Sequence, residues 1–292
     1  MKSGFISIIG RPNVGKSTLL NQIMGEKLTI TSNKPQTTRN SIQCIYNSPD
    51  GQAVFIDTPG IHKPNHYLDT KMMKAVEDSM ADVDLLLVMV EPGTPRQEDL
   101  DVFDRVKRCK APAVLVINKI DSVSPEKIAA TAKQYSEIYH FKEIVPVSAF
   151  CGTNVKELLR VVFSYLPEGP AYFPPDMVTD QPERVLVAEF IREKALYVLD
   201  KEIPHGIAVL IDTFTERQDR DLIDINATIV CEKASHKPII LGKQGRTIKE
   251  IGTQARREIQ RFMGVQVNLK LWVKVKENWR DSEIYVTNYS KN

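Results

Sequence analysis

Four short segments of this chain carry residue types and spacings that could bind and cleave a phosphate ester. Gly10-Arg11-Pro12-Asn13-Val14-Gly15-Lys16-Ser17 fits G-x-x-x-x-G-K-[ST], follows the apolar run Phe5–Ile9 and opens an amphipathic stretch with Leu19, Leu20, Ile23 and Met24. Such a loop wraps phosphates in backbone N–H groups, with the positive end of a helix behind them. Lys16 would reach the β/γ oxygens and the Ser17 hydroxyl would ligate Mg²⁺. Asp57-Thr58-Pro59-Gly60 ends the apolar run 53–56, so the Asp57 carboxylate can hold Mg²⁺ through water and the Gly60 N–H can approach a γ-phosphate. Asn118-Lys119-Ile120-Asp121 ends the run 113–117. A carboxylate at Asp121 accepts from the N1–H and N2–H₂ of guanine, a donor pair adenine lacks, and buried groups left unpaired by the wrong base give large discrimination. Ser148-Ala149 follows the run 144–147, where a backbone N–H could reach guanine O6. Each motif alone would often be an ordinary turn; four in this order, each at a strand end, point to a guanine nucleotide.

A second chemistry sits near the C-terminus. Gly242-Lys243-Gln244-Gly245 is a G-x-x-G loop between two helical segments, followed by Arg246 and Lys249 and preceded by Lys237. Two glycines allow a tight turn and close backbone approach to a phosphodiester chain, as in the loop with which KH domains clamp about four nucleotides. Between Lys233 and Lys276 there are eleven basic residues against only Glu250 and Glu258, while the rest of 171–292 holds eight basic and sixteen acidic ones. A solvated face mixes signs, so this segregation predicts a polyanion site that includes Lys237, Gly242, Lys243, Gln244, Gly245, Arg246 and Lys249.

These loops need a scaffold. Residues 1–167 alternate short apolar runs with amphipathic stretches around 69–80, 95–108, 125–139 and 153–165, the pattern of βαβ units and a mostly parallel sheet with helices on both faces. Residues 41–46 and 52–56 flank Asn47-Ser48-Pro49-Asp50-Gly51 and read as a hairpin with an antiparallel edge strand. Five prolines between Leu166 and Pro182 predict a linker over 168–182. Residues 183–292 read helix, strand, strand, helix, helix, strand, a smaller α+β domain. Its first helix, 183–199, reads as amphipathic, and 265–275 alternates with strict period two.

Composition narrows the class. The chain has 292 residues, 42% hydrophobic and 26% charged, with a net charge of +2, so it is neither disordered nor uniformly basic. Its longest apolar run, Leu85–Val90, is far short of the ~20 residues of a membrane helix. The N-terminus carries no signal-peptide pattern, and Cys44, Cys109, Cys151 and Cys231 are too scattered for a zinc site or disulfide framework, so a cytosolic protein is expected. His62 and His66 are four apart but lack a third ligand nearby, and no metal pair is expected of them.

Taken together, the first four motifs resemble those of a translation-factor-class small GTPase domain. The resemblance implies GTP/GDP and Mg²⁺ as cofactors. It places nucleotide contacts at Gly10, Asn13, Val14, Gly15, Lys16, Ser17, Thr18, Asp57, Gly60, Asn118, Lys119, Asp121, Ser148 and Ala149. Gln36-Thr37-Thr38-Arg39 would be the first switch, supplying a threonine to Mg²⁺ beside Ser17 and Asp57; Thr38 is preferred, but spacing does not separate it from Thr37. Lys16, Thr38, Asp57 and Gly60 would carry hydrolysis. Ile61 stands where Ras-like domains have a water-orienting glutamine, so hydrolysis would be slow without activation, or would use K⁺ held near the phosphates by Asn13. With the type II KH order, the Gly242–Gly245 loop and Leu271-Trp272-Val273-Lys274-Val275-Lys276-Glu277-Asn278-Trp279-Arg280, nearly the whole chain resembles the Era-type GTPases. That resemblance implies a monomeric bacterial ribosome-assembly factor. Its nucleotide state would gate KH binding to the 3′ end of 16S rRNA on the small ribosomal subunit. It would be cytoplasmic, with peripheral contact at the inner face of the cell membrane also allowed. The competing readings are an RNA-binding assembly protein with a structural nucleotide, and a tRNA-modification GTPase; the KH-like C-terminus speaks against the second. The tail 281–292 is given no role.

Overall fold

In the computed structural model, residues 1–34, 36–200 and 203–290 are described. They divide into two compact units: Met1–Thr31, Thr38–Lys63 and Lys71–Asp180 in the first, and Ser32–Thr37, Pro64–Thr70 and Gln181–Asn292 in the second. The last two residues of the 281–292 tail lie outside the described residues.

The first unit is built on β1 (Lys2–Ile9), β2 (Ile42–Ser48), β3 (Gly51–Asp57), β4 (Leu85–Val90), β5 (Ala113–Ile117) and β6 (Glu143–Pro146), in the order β2-β3-β1-β4-β5-β6. Only β2 runs antiparallel, as the hairpin motif predicts. Helices α1 (Lys16–Met24), α2 (Tyr67–Met80), α3 (Gln97–Val106), α4 (Pro125–Ile138) and α5 (Val155–Tyr165) connect or follow the strands. All six residues of β4 and all five of β5 are buried, which explains their unbroken apolar runs: a parallel sheet covered on both faces has no polar side. Register places the functional loops at one end of the sheet. β1 pairs Ile8 with Asp57, and β4 pairs Val90 with Ile117, so Gly10, Asp57, Glu91 and Asn118 all emerge at C-terminal strand ends.

Of the expected linker 168–182, residues up to Asp180 cluster with the first unit. Val178 O accepts from Ile45 N–H at 2.9 Å, and Thr179 Oγ1 donates to Gln43 O at 2.8 Å, so the segment pairs with β2. Gln52 holds its other end, accepting the N–H groups of Tyr172 and Phe173 at 2.7 and 3.0 Å and donating to Phe173 O at 2.9 Å. The prolines exclude helix but suit an extended strap on a sheet edge, where a missing N–H need not face the partner strand.

The second unit contains α6 (Glu183–Val198), β7 (Ile207–Glu216), β8 (Leu222–Cys231), α7 (His236–Leu241), α8 (Arg246–Met263), β9 (Gln266–Val275) and α9 (Glu283–Ser290). The sheet order is β7-β8-β9, antiparallel then parallel. Ile251, Ala255 and Ile259 form the buried stripe of α8, and Ile248 and Phe262 are only half-buried. Helix α6 departs from the amphipathic reading. It is buried nearly all round, including Arg192 and Glu193, because α8, β7 and the segment Ser32–Thr37 all lie in its unit. Trp279 is buried, with Nε1 donating to Gly206 O at 2.9 Å, which anchors the C-terminal segment to the start of β7.

Candidate functional site

Gly15 precedes α1 with φ 102°, and a Cβ there would lie 2.3 Å from Asn118 Nδ2, so only glycine lets the loop close against that side chain. Lys16, 6% exposed, donates to the carbonyls of Gly10 and Arg11, both at 3.2 Å. Burial pushes its ammonium down to about 8, against the upward pull of Asp57 and with further lowering by Arg11.

Ser17, Thr38 and Asp57 converge. Ser17 Oγ donates to Asp57 Oδ2 at 2.8 Å, and Thr38 Oγ1 lies 3.0 Å from Ser17 Oγ and 3.3 Å from Asp57 Oδ2. Thr37 Oγ1 instead donates to Lys34 O at 2.7 Å, so of the two threonines it is Thr38 whose hydroxyl lies beside Ser17 and Asp57. Asp57 is fully buried, and its Oδ1 has no hydrogen-bond partner. Burial pushes its carboxyl up, outweighing Lys16, Ser17, Thr38 and the Thr58 amide. A buried, orphaned carboxylate oxygen beside two hydroxyls is an all-oxygen donor set that fits Mg²⁺.

On the base side, Asn118 Nδ2 donates to Val14 O at 2.8 Å, and Lys119 Nζ donates to Asn13 O at 2.9 Å, fastening this loop to the phosphate loop. Ser148 Oγ donates to Asp121 Oδ1 at 2.5 Å. The amides expected to face guanine O6 are used within the protein: Ser148 N–H donates to Thr153 O at 3.1 Å and Ala149 N–H to Asn118 Oδ1 at 2.9 Å. In this structure they orient Asn118 and brace the loop. A cleft of about 480 Å³ opens alongside, lined by Thr18, Asn21, Lys27, Ala149 and Phe150 among others, with Phe150 85% exposed.

Sequence reasoning missed Glu91. It accepts from both Arg11 and Lys119, and Arg11 Nε also lies 3.3 Å from Asp99 Oδ1. Burial pushes the Glu91 carboxyl up, but Lys119 and Arg11 outweigh it and hold it below the usual range. The signal was present: Glu91 follows the run Leu85–Val90 at a strand end, like Asp57 and Asn118.

After Gly60, Ile61 is buried and its N–H donates to Gly10 O at 3.2 Å; its side chain has no polar atom to orient water. His62 Nδ1 lies 2.7 Å from Gly60 O, and His66 Nδ1 lies 3.1 Å from both Asp281 oxygens. No cluster of three or more His, Cys, Asp or Glu suited to a metal is found among the described residues.

In the second unit, Gly242 (φ 71°), Gln244 (φ 56°) and Gly245 (φ 75°) all take positive φ between α7 and α8, the last two in the left-handed helical conformation. A Cβ on Gly242 would fall 2.1 Å from Thr247 Oγ1. Lys237, Lys243, Gln244, Arg246 and Lys249 are all exposed around the loop. On β9, Trp272 is 62% exposed between exposed Lys270 and Lys274.

A parallel sheet with these loops at its C-terminal ends, followed by a helix–loop–helix on a three-stranded sheet, defines a P-loop GTPase joined to a KH domain. Family models agree: "50S ribosome-binding GTPase" matches residues 5–119 and "KH domain" residues 202–280. GTPase Era of Clostridium kluyveri is 54% identical over 284 residues, 97% of each chain, and that of Clostridioides difficile 50% identical, covering 100% of this chain and 99% of its own. The chain therefore belongs to the Era GTPase family. It is similar in structure to a variant of Aquifex aeolicus Era bound to GDP·AlF₄⁻, with TM-score 0.96, 38% identity and coverage of 100% and 99%. Era in complex with MgGDPNP and nucleotides 1506–1542 of 16S ribosomal RNA gives the same values.

Proposed function

We propose that this GTPase is a nucleotide-gated binder of the 3′ end of 16S rRNA that acts in small-subunit assembly. The observation that carries the reading is one chain holding both a guanine-nucleotide site and an exposed basic G-x-x-G loop. Era bound to MgGDPNP and 16S rRNA nucleotides, at TM-score 0.96, supports it. Ser17, Thr38 and Asp57 would hold Mg²⁺, which when bound neutralises charge on the phosphate oxygens. Lys16 binds the β/γ oxygens, the Gly60 N–H meets the γ-phosphate, and Asn118, Lys119 and Asp121 fix the base. Lys237, Lys243, Gln244, Arg246 and Lys249 contact the RNA backbone around Gly242 and Gly245.

Hydrolysis releases Thr37–Arg39 and Asp57–Ile61, an order–disorder transition that lowers RNA affinity. Ile61 leaves water orientation to another device, and K⁺ at Asn13 is our reading of it; equal rates in NaCl and KCl at one ionic strength would remove that ion from the scheme. We place the protein in the cytoplasm as a monomer, with a peripheral membrane contact as a further proposal; no helix among the described residues is long and apolar enough to cross a membrane.

The test is the affinity of the full chain for an RNA carrying the 16S 3′ end, measured with GDP and with GDPNP. Tighter binding with GDPNP is expected. Equal affinities would favour the reading in which the nucleotide is only structural.

A further inference from the structure

Glu91 is a carboxylate beside a site built for phosphates. It follows β4, and its side chain, 21% exposed, accepts from Arg11 of the phosphate loop and from Lys119 of the base loop. Lys119 Nζ also donates to Asn13 O at 2.9 Å, so one ammonium joins the base loop to the phosphate loop with Glu91 as its counter-ion. Arg11 is itself held. It is buried, its Nε lies 3.3 Å from Asp99 Oδ1, and Asp99 Oδ2 accepts from Tyr135 Oη and from Arg96 N–H, both at 3.0 Å. A chain of polar contacts thus runs from α4 and α3 through the phosphate loop to the base loop, with Glu91 as its last link. All of these residues lie in the first unit.

Neither stability nor charge accounts for this carboxylate. Lys119 sits at φ 65°, a left-handed conformation that disfavours a side chain, and its side chain is 43% exposed. An ion pair so open to water adds little to stability. A negative charge beside a polyanion site repels the ligand. What Glu91 does supply is geometry. A lysine ammonium is a point charge on a flexible four-carbon stem, and a single acceptor leaves it free to swing. Acceptors at both Asn13 O and Glu91 fix its place. A guanine nucleotide spans the two loops, base at one and phosphates at the other. The spacing of the loops before binding therefore decides how much ordering the nucleotide must impose.

We propose that Glu91 is a positioning residue for nucleotide binding: anchored through Arg11, it pins the Lys119 ammonium to the phosphate loop and so sets the spacing of the base loop and the phosphate loop before the nucleotide arrives. It acts through Lys119 and is given no contact with the nucleotide. The inference rests on the reading in which Lys119 helps to fix the base. The base is common to GDP and GTP and does not change during hydrolysis. The effect of Glu91 therefore falls equally on both nucleotides, and on KM rather than kcat.

The experiment compares the full-length parent with E91A, E91Q, K119A and the double variant E91A/K119A. Melting temperature, GDP and GDPNP affinity, and kcat and KM for GTP are measured for each. The loss of one charge-assisted hydrogen bond predicts, for E91A, about a tenfold fall in affinity for both nucleotides, with a matching rise in KM and kcat within about twofold. E91Q keeps an acceptor and should show about a threefold fall. Charge alone would act the other way, because removing a carboxylate favours an anion, so a fall in affinity reports geometry. Since Glu91 acts through Lys119, adding E91A to K119A should change affinity by no more than about twofold. Folded E91A with parental or tighter affinity would overturn the proposal, as would a loss in the K119A background as large as in the parent. Parental affinity in K119A would take Lys119 out of base recognition and the proposal with it. Weak binding by K119A beside parental binding by E91A would leave that reading standing and remove only the role of Glu91. If E91A does not fold, E91Q, alone and with K119A, decides by the same criteria.

Discussion

The depressed ammonium of Lys16 makes nucleotide affinity depend on pH in a calculable way. In the nucleotide-free protein burial holds Lys16 at about 8, far below its ordinary 10.5. A phosphate needs the charged form, and phosphate oxygens restore it on binding, so association takes up a proton. The sign follows from linkage: affinity is full below about 8 and falls as pH rises through that value. A group of pKa about 8 is ~90% charged at pH 7 and ~25% charged at pH 8.5, so the dissociation constant for GDP should rise about fourfold, or ~0.8 kcal/mol. The range stops at pH 8.5 to stay below the ionisation of guanine N1. The assay is calorimetric titration of GDP at fixed ionic strength in buffers of different ionisation heats, which counts protons directly. About 0.5 proton should be taken up at pH 8 and about 0.8 at pH 8.5. A flat dissociation constant with uptake near zero would mean that Lys16 is fully charged before the nucleotide arrives, and would refute the desolvation argument. The same depression makes folding release a proton, so the nucleotide-free fold should gain stability as pH rises from about 8 to 10.5.

Other substitutions test the site residue by residue. Thr38→Ala removes a hydroxyl beside Asp57 and should slow single-turnover phosphate release at least about tenfold, whereas Thr37→Ala, whose hydroxyl serves Lys34 O, should stay within about threefold; equal effects would undo the assignment. Asp121→Asn should weaken GTP binding about a hundredfold and improve xanthosine triphosphate binding, measured by competition; unchanged GTP affinity would remove Asp121 from base recognition. Gly245→Asp enters open space at φ 75° and should cost ~1–2 kcal/mol of stability while lowering RNA affinity about tenfold or more, with hydrolysis without RNA unchanged. Gly242→Asp would also strike Thr247, so a melting curve should show the larger loss there.

The legible parts of this molecule are those where one residue type has one use. The loops that carry Lys16, Asp57, Asn118 and Asp121 could be placed because each follows an apolar run, and β-register brings those strand ends together. Glu91 obeys the same rule but belongs to no named motif, and its meaning depends on Arg11 and Lys119, distant in sequence. Arg192 was illegible for a different reason. A charged position on a helix reads as solvent-facing, and what packs against α6 comes from elements distant in sequence. The prolines of 168–182 suggest a linker, though proline forbids helix and not extended pairing. Trp279 belonged to a recognisable stretch and Asp281 to none, but their contacts depend on partners distant in sequence, Gly206 and His66.

The strap along β2 also bears on how the protein can be divided. In the six-stranded sheet β2 is an outer strand, and an outer strand with bare N–H and C=O groups is a template for pairing with another chain. Residues 178–180 occupy part of that template through Gln43 and Ile45. A fragment ended at Leu166 or Pro167, just after α5, would keep every residue proposed to bind nucleotide and yet uncover the edge. Such a fragment should self-associate, whereas one continued through Asp180 should stay monomeric. The nucleotide-binding half is thus complete in its chemistry about a dozen residues before it is complete as a soluble body.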